Sequence, residues 1–107
     1  MDKIYNKLVR DKIPDIIKGN GENPVIKVLN EDEYKKELEK KFYEEYNKVI
    51  SANGQDRLEE LADMLEVIAA LAKIEGKTLE DVSLIAHQKV LKRGSFNNRI
   101  YLEKVID

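Results

Sequence analysis

The chain has 107 residues, of which 42% are hydrophobic and 37% charged, with a formal net charge of -2. That is one domain's worth of sequence with a thin core, and the charge balance argues against a nucleic-acid partner. It contains no cysteine, which excludes a disulfide framework and a thiolate metal site.

The opening Met1–Tyr5 is followed by no apolar run of signal-peptide type. The longest apolar-rich stretch, Met64 to Ala72, is interrupted by Glu66 and is too short to span a bilayer. The expectation is a soluble, cytoplasmic, single-domain protein over residues 1–107, with no membrane partner.

Taken in chain order, Ile4 to Val9 is compatible with a short strand. Asp11 is then the candidate cap of a helix through Ile13, Ile16 and Ile17, with Pro14 in its first turn. Gly19-Asn20-Gly21 stops it. Val25 to Leu29 alternates as a short strand would. Asn30 with Glu33 reads as a capping box that opens a long helix to about Ser51. Asn53-Gly54 is the strongest turn signal, and a second long helix follows from about Asp56 to Glu75, halted by Gly76. Thr78, with Asp81 three residues later, caps a third that runs to about Leu91. Arg93-Gly94-Ser95 is a turn, and Phe96 to Val105 has strand character. The expected fold is all-α: an antiparallel helical hairpin, flanking helices and minor short strands near the ends.

The second long helix is apolar on most sides. At 100° per residue its polar face reduces to Glu59, Glu66 and Lys73. Leu58, Leu61, Met64, Leu65, Val67, Ile68, Leu71 and Ile74 occupy the rest. A helix of that kind must be covered nearly all round. The expectation is a homodimer or higher homo-oligomer in which hairpins pack into a four-helix bundle.

Three carboxylates fall on apolar faces. Glu45 lies seven residues after Leu38 and four before Val49; Glu60 lies four before Met64 and seven before Val67; Asp63 lies four before Val67. A buried carboxylate must neutralise, pair or hold a metal. Three of them converging from two antiparallel helices form an all-oxygen set suited to Mg²⁺ or Mn²⁺. The plainer alternative is flank acids that find nearby lysines, with Glu44 and Lys48 as an ordinary i,i+4 pair.

Several segments also resemble a known family. Tyr5-Asn6-Lys7-Leu8-Val9-Arg10-Asp11-Lys12-Ile13-Pro14, the helix Leu58 to Ile68 with its Glu60-x-x-Asp63 pair, and the closing Lys92 to Leu102 are similar to the MazG-like, all-α nucleotide pyrophosphohydrolases. The likeness is to the branch often labelled similar to phosphoribosyl-ATP pyrophosphohydrolase. The resemblance implies Mg²⁺-dependent cleavage of a nucleoside triphosphate between its α- and β-phosphates. It implies a Glu-Glu-x-x-Glu motif on one helix and Glu-x-x-Asp on the next. Glu44 and Glu45 match the leading pair, and Glu60 and Asp63 the second motif. The last acid of the first motif falls on Lys48.

The expected roles follow. Glu45, Glu60 and Asp63 are the metal ligands and Glu44 orients the attacking water. Lys7, Arg10, Lys12, Lys48, Arg93 and Arg99 are the candidate contacts to substrate phosphates, since basic side chains and arginine forks in particular suit phosphate oxygens. A solvated surface role is the bland alternative for each of these six. Tyr43 and Tyr46 are expected in the core, with base stacking as the other possibility, and His87 is expected to be structural or exposed. The alternative to an enzyme is an inert, oligomeric nucleotide-binding or interaction module that has lost a metal ligand at Lys48. No P-loop, dinucleotide fingerprint or nucleophile elbow is present.

Overall fold

The computed structural model describes residues 2–107; Met1 of the opening segment lies outside them. Four helices follow in order: α1 (Ile13–Gly19), α2 (Glu31–Ser51), α3 (Gly54–Ile74) and α4 (Leu79–Arg93). The protein is all-helical among the described residues, and no helix is long and apolar enough to cross a membrane.

Local chemistry sets the helix ends. At α2 the Glu33 backbone N–H donates to Asn30 Oδ1 at 2.9 Å and the Asn30 N–H donates to Glu33 Oε1 at 3.3 Å. The expected capping box is therefore complete, satisfying donors that a helix start leaves orphaned. Thr78 and Asp81 do the same for α4. The third expected cap does not form. Lys12, not Asp11, occupies the N-cap of α1, without a side-chain hydrogen bond. Pro14 lies within the first two positions of this helix, where one fewer N–H needs a partner.

Only Ala52 and Asn53 join α2 to α3, both extended, and Gly54 then turns the chain at φ 58. A side chain at that left-handed position would be strained. Arg57, in the first turn of α3, reaches back to the end of α2. Its Nε donates to Ala52 O at 2.8 Å and to Val49 O at 3.2 Å. It thereby occupies carbonyls that no further helical turn can use.

The hairpin α2–α3 is the body of the fold, and α4 packs more lightly on α3. Its core is small: Leu38, Val67 and Ala72 are the buried apolar residues. No Cα of α1 lies within 8 Å of a Cα of another helix. Neither Ile4–Val9, Val25–Leu29 nor Phe96–Val105 forms a strand. A strand exists only through a ladder with a neighbour, and none runs beside these segments. Their apolar side chains are outside, with Phe96 95% exposed.

A compact chain of this length has a radius of gyration of about 13 Å. This one measures 18.5 Å and extends 65 × 33 × 24 Å. It exposes 10122 Å², where a compact monomer of its mass exposes about 6100 Å². Leu58, Leu61 and Leu65 on α3 are among the exposed residues, so a single copy covers only part of that helix.

Candidate metal centre

Glu45 sits on the α2 face turned toward α3 and is 3% exposed, the one buried charged residue among those described. Glu60 and Asp63 face it from one turn of α3, both half-buried. One carboxylate oxygen from each of the three lies within 4.8 Å of the others. Oxygens around Mg²⁺ stand about 3 Å apart as neighbours and about 4.2 Å apart across the ion. Closing the trio on such an ion draws neighbouring oxygens together by up to about 1.8 Å, which side-chain rotation supplies.

The hydrogen bonding shows where the trio is unsatisfied. Glu45 Oε2 and Glu60 Oε2 are buried and meet no hydrogen-bond donor among the described residues. Buried carboxylate oxygens are ordinarily paired, because desolvation without a partner is costly. Two such oxygens in one cluster fit a hard cation, and the donor set is all oxygen.

Two protein cations also touch the cluster. Lys48 Nζ donates to Glu45 Oε1 at 3.5 Å, one turn along the same helix. The i,i+4 pair of Lys48 with Glu44 is not formed; Lys48 turns inward to Glu45 instead. A more deeply buried carboxylate, in a less screened setting, attracts an ammonium more strongly than a shallower one. Arg10 Nη2 donates to Asp63 Oδ1 at 2.7 Å. This contact joins residues 53 apart. Periodicity could not have indicated it.

Other candidates lie differently. Glu44 is half-buried and outside the three-acid cluster. Lys7 Nζ stands 5.6 Å from the centre of the Tyr5 ring, a cation–π contact. Lys12 is exposed at the start of α1. Arg93 and Arg99 line an open depression with Gly94, Ser95, Phe96 and Asn97 at the end of α4. The structure thus brings Arg10 and Lys48 to the acids, while Arg93 and Arg99 group with each other. Tyr43 and Tyr46 are not in the core. Both are exposed and stack on one another, 6.3 Å between centroids and 25° between planes. His87 is exposed on α4.

No family model matches the chain, and no solved structure matches it. Over 50 residues it is 42% identical to an uncharacterized protein of Mycolicibacterium smegmatis. The match covers 47% of this chain and 51% of that protein, so it spans about half the length of each.

Proposed function

We propose that the protein is a Mg²⁺-dependent nucleoside triphosphate pyrophosphohydrolase that cleaves between the α- and β-phosphates, releasing a nucleoside monophosphate and pyrophosphate. The observation that carries this reading is the buried Glu45 carboxylate, with one oxygen unpaired, facing Glu60 and Asp63. A burial this costly is readily understood if the oxygens serve a cation. Glu45, Glu60 and Asp63 would hold Mg²⁺ or Mn²⁺, which supplies charge neutralisation on the phosphates and a more acidic bound water. Glu44, one residue from Glu45, is assigned to orient the attacking water. Arg10 and Lys48, already beside the acids, are assigned to phosphate oxygens, with Lys7, Lys12, Arg93 and Arg99 as outer contacts. The exposed Tyr43–Tyr46 pair offers a flat surface on which a base can stack.

The protein is further proposed to act as a homodimer or higher oligomer. The excess exposed area and the open leucines of α3 support this.

Lys48 favours a second reading. Its ammonium occupies a position where it opposes metal binding, as in a nucleotide-binding module without hydrolysis. Pyrophosphate release from a panel of triphosphates, with and without Mg²⁺, separates the two. Release that depends on Mg²⁺ and disappears in Glu60→Gln and Asp63→Asn supports the enzyme. Release that survives both substitutions overturns the assigned site. Absence of release from every triphosphate, with nucleotide-induced thermal stabilisation retained, supports the binding module.

A further inference from the structure

We infer that Arg10 is an internal counter-ion of the carboxylate cluster that a divalent cation displaces, so that metal loading unlatches the N-terminal segment from α3. The inference rests on the metal reading of Glu45, Glu60 and Asp63 and assigns that site a regulation of its own. Three observations converge on it.

The first is placement. Arg10 Nη2 is bonded to Asp63, a member of the trio whose oxygens lie within 4.8 Å of one another. A cation bound by Asp63 and a guanidinium bonded to Asp63 repel each other at that distance.

The second is charge. Three carboxylates against Arg10 and Lys48 leave one negative charge. A dication added with both basic groups in place leaves one positive charge, and departure of one basic group restores neutrality. Release of Lys48, 54% exposed and one turn from Glu45 on the same helix, would move one side chain alone. Arg10 is the cation whose release is tied to a separate segment.

The third is attachment. Arg10 lies in the stretch before α1, and α1 packs on no other helix. Among the described residues, the bond to Asp63 is the one side-chain hydrogen bond or ion pair that ties residues 2–20 to the rest of the protein. Breaking it therefore removes the polar tie of a whole segment, which then keeps only the apolar contacts of half-buried residues such as Leu8 and Ile17. The freed guanidinium stays tethered beside the site, with a fork suited to a phosphate. Metal binding thus prepares an anion contact, and the coupling between metal and anion is reciprocal.

The pair is about half exposed at both ends. Exposed pairs of this kind limit the competition to a factor of up to about five in metal affinity. The experiment is a calorimetric titration of Mn²⁺ into the wild-type protein, Arg10→Gln and, as a control, Lys3→Gln. A nitroxide on Asp11→Cys then reports segment mobility with Mg²⁺; the label is unique because the chain has no cysteine. The expected result is Mn²⁺ binding roughly two- to fivefold tighter in Arg10→Gln and unchanged in Lys3→Gln. Mg²⁺ should mobilise the label in the Arg10 protein and leave it unchanged, already mobile, in the Arg10→Gln background. Equal or weaker Mn²⁺ binding by Arg10→Gln overturns the latch and leaves the metal site standing. A label that ignores Mg²⁺ in the Arg10 protein does the same. Absence of Mn²⁺ binding by every variant overturns the latch and the metal reading together.

Discussion

Lys48→Glu tests how the trio and its internal cations balance. Lys48 Nζ stands 3.5 Å from Glu45 Oε1. Two unit charges at that separation interact by about 5 kcal/mol at a near-surface effective dielectric and about 1 kcal/mol in water. The lysine side chain is 54% exposed, so solvent screens most of the attraction and the lower figure governs. Removing about 1 kcal/mol of competition tightens Mg²⁺ binding roughly fivefold. Lys48→Met isolates that gain. Lys48→Glu adds a fourth carboxylate one turn from Glu45, and its expected gain is tenfold or more on the same scale. The same variants should be less stable without metal, because Glu45 loses its cation while remaining buried. A loss of about 1 kcal/mol lowers the melting temperature of a chain this size by about 4–8 °C. Saturating Mg²⁺ should recover it, since a ligand of the folded state stabilises that state. Calorimetric Mg²⁺ titration, melting curves in chelator and in Mg²⁺, and pyrophosphate release form the assay. Unchanged Mg²⁺ affinity in Lys48→Glu would refute the competition argument. Loss of an activity that wild type shows would make Lys48 a phosphate contact.

Three further expectations concern assembly and stability. Light scattering at micromolar concentration should give at least twice the 12.4 kDa chain mass. Leu61→Glu with Leu65→Glu should return it to monomer, since each leucine contributes about 1.5–3 kcal/mol when covered; a monomeric wild type would refute the bundle. Arg57→Ala should lower stability by about 1 kcal/mol in a urea melt, by leaving the Ala52 carbonyl to water while Val49 O keeps the Ala52 N–H; an unchanged midpoint would mean that water replaces the guanidinium without loss. Asp81 is held below the ordinary carboxylate value of 3.8, first by the Thr78 backbone N–H, then by its hydroxyl and by Lys77. The folded value is depressed, so the stabilisation is present above 3.8 and is lost as pH falls through the lower folded value. Asp81→Asn should show less of that acid loss of helicity by circular dichroism; identical acid profiles would place the titration elsewhere.

What the sequence revealed depended on the range of the interaction. The capping boxes at Asn30–Glu33 and Thr78–Asp81 were legible because both partners lie within one turn. Glu45, Glu60 and Asp63 were legible because helical period alone puts them on apolar faces. Arg10 carried a motif-like context, but its partner, 53 residues away, followed from no pattern. The preference of Lys48 for Glu45 over Glu44 turns on burial, which spacing does not report. Val25 to Leu29 has a strand's alternation, yet alternation describes a face and supplies no second strand. Asp11 had a capping residue's chemistry, but the chain entered α1 one residue later.

The two-residue link between α2 and α3 has a kinetic consequence. Glu45, Glu60 and Asp63 straddle it, all within a short stretch of contiguous sequence. Contacts so close along the chain form with little loop-closure entropy, and helical hairpins of low contact order fold in microseconds to milliseconds. The carboxylate trio is therefore expected to come together as this turn closes, ahead of the distant Arg10. Mg²⁺ present during refolding should bridge the two helices at that stage and accelerate hairpin formation, while substitutions in residues 2–20 leave that phase unchanged.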